Sequence, residues 1–176
     1  MILQQLCVTE AKIYKTQAPL SASLTFRYPL GVILMSSAAK HGSTIIPGLR
    51  YRDAHAAIAW LCKAFGFEKH VVYENEHGGV DHAQVTYGTG MIMLGDVRDT
   101  DSGRHMTQPS EIGERETQCP YVVVVNCKSH YQQAKAAGAT IVDDYAEKDY
   151  GGAGYSCRDP EGHLWSFGSY DPWQPE

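Results

Sequence analysis

Histidine and cysteine are the residues of this chain best suited to chemistry, with eight of the first and five of the second. Both can hold transition metals or take part in catalysis, so their spacing is informative. The cysteines are Cys7, Cys62, Cys119, Cys127 and Cys157; the number is odd and no pair has Cys-x-x-Cys spacing. That suits reduced thiols of a cytoplasmic protein better than a disulfide frame. The histidines are His41, His55, His70, His77, His82, His105, His130 and His163. His55 and His130 fall near helix starts and are expected to be solvated, and His77 and His163 fall in turns. His70 and His82 fall in strands. No Gly-x-Ser-x-Gly elbow occurs, and Gly151-Gly152-Ala153-Gly154 lies between strands rather than before a phosphate-binding helix.

Binding candidates emerge from alternation along strands. His82, Gln84 and Thr86 share one strand face, with Ala83, Val85 and Tyr87 on the other. If the polar face lines a cup, His82 and Gln84 read a ligand; otherwise it is the wet face of a sheet. Met91 and Met93 alternate together, and Tyr155 and Trp165 sit on late strands. These four are either adaptable pocket walls or core. A displaced metal site on His82 and His105 is the metal-binding alternative.

The elements that position these residues recur. Ile45–Arg52 reads as a strand, Asp53 as an N-cap, and Ala54, Ala57, Ile58, Leu61 and Phe65 as one helix face stopped by Gly66. Strands follow at Phe67–Glu74, Val80–Tyr87 and Met91–Asp96, separated by turn-forming runs. The order repeats: strand Tyr121–Asn126, helix 129–137 stopped by Gly138, and strands Ala139–Asp143, Gly154–Arg158 and Leu164–Tyr170. Gly66 and Gly138 lie 72 apart, as do Leu94 and Ser166. The expected architecture is therefore α+β, two βαβββ repeats of equal period. Units span 43–96 and 119–172 in a domain over 43–172, joined by residues 97–118. A connection that long is a binding loop or a disordered linker.

Composition suits one globular domain, with 43% hydrophobic and 20% charged residues. Net charge is −5; residues 1–42 carry +3, leaving −8 for the remainder. An acidic domain repels phosphate backbones, so no nucleic-acid partner is expected, and a cationic ligand fits better. No apolar run approaches the roughly 20 residues that span a bilayer, so no membrane partner is expected either. Residues 1–42 lack the regular pattern and read as an N-terminal extension outside the core, with Met35 the alternative start. The apolar run at 29–39 lacks the basic leader of a signal peptide, which keeps the expected location cytoplasmic.

Tyr155–Phe167, with its Asp159-Pro160-Glu161-Gly162-His163 turn, resembles the closing hairpin of the vicinal oxygen chelate (glyoxalase/bleomycin-resistance/extradiol dioxygenase) superfamily. Tyr51-Arg52-Asp53, Ala57–Leu61, Ala64–Phe67 and Ala136–Ala139 resemble other parts of its repeat. The resemblance implies an open eight-stranded cup, often completed in a homodimer. In the superfamily's metal enzymes, first and last strands supply His, Glu or Gln to a divalent ion that binds vicinal substrate oxygens. Here those positions are expected to fall on Ile46 or Pro47, Leu94, Gln118–Pro120 and Ser166, which cannot hold an ion together. The resemblance thus implies the bleomycin-resistance-like branch, a metal-free protein binding a small organic ligand and needing no cofactor. A divalent-metal lyase or dioxygenase with displaced ligands is the alternative, and whether the protein is an enzyme stays open.

Overall fold

The computed structural model describes residues 42–149 and 151–174. The extension expected over 1–42, with Cys7, His41 and the alternative start at Met35, lies outside them but for Gly42.

Local chemistry sets the first unit. Strand β1 (Gly48–Tyr51) runs into helix α1 (Ala54–Phe65). The Asp53 carboxylate accepts from the Ala56 amide at 2.9 Å, satisfying a first-turn donor with no partner inside the helix. Ala54, Ala57, Ile58, Leu61, Ala64 and Phe65 bury one helix face. Gly66 ends the helix at φ 76°, where a side chain would be strained. Strands β2 (Glu68–Glu74), β3 (Val80–Tyr87) and β4 (Gly90–Asp96) follow as an antiparallel meander. The crossover through α1 returns β1 parallel to β4, giving the order β1-β4-β3-β2.

The second unit repeats this with β5 (Tyr121–Val123), α2 (Cys127–Ala136), β6 (Thr140–Glu147), β7 (Ala153–Arg158) and β8 (Leu164–Gly168), in the order β5-β8-β7-β6. The two βαβββ repeats therefore stand as two four-stranded sheets. Boundaries differ where capping overrides strand propensity. The valine-rich strand stops at Val123, because Asn126 caps α2 by accepting from the Ser129 amide at 3.0 Å. That starts α2 at Cys127 rather than 129.

The helix-side faces of both sheets share one core. Phe65 lies 5.5 Å from the Trp165 ring and 4.6 Å from Phe167, and Phe67 packs on Trp165. Trp60 Nε1 donates to the Ala137 carbonyl, tying α1 to the end of α2. His130 is not solvated as its place near a helix start implied. Its half-buried ring stacks on Phe65 and lies 4.4 Å from Phe167. Nε2 sits 2.9 Å from the Phe65 carbonyl, so it donates, and Nδ1 accepts from the Tyr155 hydroxyl at 2.6 Å. These are the bonds of the neutral ring, and burial holds its pKa below the ordinary value. The unfolded chain therefore binds a proton that the fold resists. This stabilisation is complete above the unfolded histidine value of about 6.5 and is lost as pH falls toward the depressed folded value. The melting temperature is expected to drop between about pH 7 and 5, and the drop should be smaller in His130→Gln. Identical pH slopes for the two proteins, followed by calorimetry, would remove this assignment.

The second unit's β7–β8 turn locks onto the first. Asp159 Oδ2 accepts from Tyr51 OH at 2.7 Å and Trp165 Nε1 at 3.1 Å; Oδ1 accepts from the Glu161 and His163 amides. The Glu161 carboxylate takes the Arg52 and Asp53 amides. The connection over 97–118 carries short 3-10 turns at Gly103–His105 and Pro109–Ile112 and is buried at Gln108 and Pro109. From it, buried Gln108 donates through Nε2 to the Arg50 carbonyl at 2.8 Å, and Glu116 meets His163 Nδ1 at 2.9 Å. No helix among the described residues is long and apolar enough to cross a membrane.

Candidate functional site

Each sheet has a second face, turned away from its helix. In the first unit the register pairs Gly48 with Met93, Arg50 with Gly95, Gln84 with Met93, Thr86 with Met91, and Tyr73 with His82. Their neighbours Ala83, Val85, Ile92 and Leu94 are buried under α1. Period-two alternation therefore puts Arg50, Tyr73, His82, Gln84, Met91 and Met93 together on the open face. Tyr73, exposed, stacks on the His82 ring at 6.1 Å and 29°, and His82 Nε2 lies 3.1 Å from Gln84 Nε2. In the second unit Tyr121 pairs with Ser166, Ser156 with Ser166, and Arg158 with Leu164. These form the corresponding open face.

Of the six residues expected to bind ligand, the structure brings four together: His82, Gln84, Met91 and Met93. Tyr155 and Trp165 lie on the opposite, helix-covered face of β7 and β8, 2% and 0% exposed. They are core, because Ser156 and Ser166 take the open side of the alternation. Arg50 and Tyr73 join the first-unit face without having been singled out. The signal was present in Leu49-Arg50-Tyr51, a polar residue between two apolar ones in a strand.

The first- and last-strand positions also shift by one. Gly48 stands five before the cap Asp53 and pairs with Met93; Tyr121 stands five before the cap Asn126 and pairs with Ser166. Met93, not Leu94, is thus the counterpart of Ser166. Leu94 pairs with Leu49 and is buried. The 72-residue offset came from the helix-end glycines, and α2 reaches its glycine one residue sooner than α1.

The residues where first and last strands meet on the open faces are therefore Gly48, Arg50, Met93 and Gly95, and Tyr121, Val123, Ser166 and Gly168. They offer a thioether, a phenol, one hydroxyl and a guanidinium. A divalent ion needs carboxylate, imidazole or thiolate donors, and Arg50 brings positive charge instead. These positions do not fit a metal. Among the described residues no group of three or more His, Cys, Asp or Glu could share an ion. His105 is exposed on its 3-10 turn. The described thiols are not activated: burial pushes Cys62, Cys119 and Cys127 up, and Cys157 to about 12. Two hollows lie elsewhere: one of about 160 Å³ between α1 and the Asp159–Glu161 turn, lined by Ala56, Trp60 and Leu61, and one of about 300 Å³ between α1 and β2, lined by Ile58, Cys62, Lys69 and Val72.

The family model for the Glyoxalase/Bleomycin resistance protein/Dioxygenase superfamily matches residues 43–167. The chain belongs to this superfamily. An uncharacterized protein of Mycobacterium tuberculosis (strain ATCC 25618 / H37Rv) is 30% identical over 123 residues, covering 69% of this chain and 71% of the relative. A similar uncharacterized protein of Mycobacterium bovis matches equally, over 80% of its length. Among solved structures, TioX from Micromonospora sp. ML1 is 28% identical with a TM-score of 0.57, covering 76% of this chain and all of that one. A glyoxalase-related enzyme from Fulvimarina pelagi shares the fold at 16% identity and TM-score 0.52, covering 76% and 91%. The superfamily holds both binding proteins and metal enzymes, so the open faces must decide between them.

Proposed function

We propose that this superfamily member binds a small organic ligand, without a metal ion, in a cup that a second copy of the chain completes. The observation that carries the reading is the composition of the first open face. Tyr73, His82, Met91 and Met93 offer a stacking ring and polarizable thioethers, while Gln84 and Arg50 offer polar recognition. The superfamily's ion positions hold no suitable donor set, so the metal-dependent lyase or dioxygenase reading gains nothing from them, and no catalytic residue is assigned.

The direction in which the faces point supports a second copy. The helix sides of both sheets are used up in one core, so each open face is half of a concave site. β1 and β5 are edge strands, and exposed apolar side chains cluster beside them: Ile45, Tyr121, Val123 and the fully exposed Val125. Such a margin is a hazard in a monomer and a natural seam in a dimer.

Light scattering during gel filtration is expected to give a dimer, and Val123→Asp a monomer. Thermal-shift screening with aromatic compounds of either charge is expected to find stabilising compounds for the dimer only, since a ligand raises apparent stability by mass action. A native monomer that binds such compounds contradicts the shared cup. Stoichiometric tight binding of Ni, Zn, Mn or Fe to metal-stripped protein contradicts the metal-free reading and favours the lyase or dioxygenase.

A further inference from the structure

Arginine on a binding face needs a counter-charge, and Arg50 has none within the described chain. Its register with Gly95 puts it on the open face beside Met93. The space above Gly95 is what the guanidinium fills: a Cβ there would lie 2.7 Å from Arg50 Nη1. Of its five N–H donors, one makes a long bond, 3.4 Å to the Asp96 carbonyl. The acids at this end of the sheet are committed elsewhere. Asp81 pairs with Arg98 at 3.0 Å, and the Asp96 carboxylate takes the Ala54 amide at 2.9 Å and the Val80 amide at 2.6 Å. Arg104 and Arg158 also have carboxylate partners. Arg50 is nonetheless held firmly, because its own carbonyl accepts from Gln108 Nε2 at 2.8 Å and His163 Nε2 at 2.9 Å. Both side chains are buried.

We infer that Arg50 anchors a carboxylate on the bound ligand, so that the cup selects aromatic acids over neutral or cationic aromatics. The inference rests on the cup reading and names its ligand class. A guanidinium held from its backbone, half out of water, with free fork geometry is the arrangement that pairs with a planar carboxylate. The aromatic part would stack on the Tyr73–His82 pair, with Met91 and Met93 beside it. The domain's acidic balance, which favoured a cationic ligand at the level of composition, acts at long range and is screened within about 8 Å at physiological salt. Arg50 acts at contact.

The test is calorimetric titration of the native protein with three matched probes: 2-naphthoate, 2-naphthamide and 2-naphthylmethylammonium. The expected result is that 2-naphthoate binds at least about tenfold more tightly than either of the others, the worth of one charge-assisted pair. Arg50→Gln should erase that preference, so that 2-naphthoate binds no more tightly than 2-naphthamide to the variant, and Arg50→Lys should restore part of it. Equal binding of the three probes, or preference for the ammonium, overturns the role of Arg50 and leaves the cup standing. Silence with all three overturns the cup and Arg50 together.

Discussion

Asp159→Ala is expected to destabilise the protein by about 3–5 kcal/mol, because it strands several buried partners at once. One carboxylate serves Tyr51 OH, Trp165 Nε1 and the amides of Glu161 and His163. Asp159 is 4% exposed, Tyr51 1% and Trp165 0%, so water cannot replace what is lost. An unmade buried hydrogen bond costs about 1–3 kcal/mol, and here the two side-chain donors alone bring the effect into the stated range. Asp159→Asn keeps one acceptor oxygen and should cost roughly half as much. It cannot match the carboxylate, since its amide hydrogens would face two donors. Burial and the facing Asp159 charge also hold the Tyr51 phenol well above its usual range, so it stays a donor at any ordinary pH. Urea unfolding measures both variants. A loss below about 1 kcal/mol for the alanine variant would show that the turn does not join the two units as described.

A second pair of substitutions separates the two faces of the sheets. Trp165→Ala should cost about 3–5 kcal/mol, as expected when a large ring is deleted from a filled core. Phe65, Phe67 and Phe167 surround it and cannot all close the gap. Met93→Ala, on the open face, should cost under about 1 kcal/mol in the absence of ligand and weaken ligand binding instead. Thermal unfolding with and without a bound probe reads both effects. If Met93→Ala destabilised the free protein as much as Trp165→Ala, the assignment of open and covered faces would be inverted.

Much of the architecture could be read without coordinates because its signals are local. Asp53 and Gly66 bound α1 by capping chemistry, and the β3 limits Val80 and Tyr87 coincide with a run of alternating residues between turns. α2 was harder to bound. It buries only Cys127 and Ala134, too few to show a helical stripe, and its cap Asn126 follows a valine run that reads as strand. The open face of the first sheet was legible in half. Polar alternation marked His82 and Gln84, and spacing marked the two methionines. Tyr155 and Trp165 could not be assigned to a face from their own character, since aromatic residues suit a pocket wall and a core equally. The small polar residues between them, Ser156 and Ser166, carried that information.

His130 shows a different limit. Nothing near it in sequence says that it will be covered, because the groups that cover it are Phe65, Tyr155 and Phe167, brought by another unit and by distant strands. Arg50 is similar. Its significance comes from Gly95 beneath it and from the prior commitments of Asp81 and Asp96, none of which a linear pattern expresses.

Cocrystallisation of the full-length chain with the aromatic probe that stabilises it most bears on all of this at once. Density is expected between the Met91–Met93 face of one protomer and the Ser156–Ser166 face of its partner, with no ion in contact. An ion held there by three or more nitrogen or oxygen side chains, or a probe seated only beside α1, would contradict a metal-free cup shared by two copies.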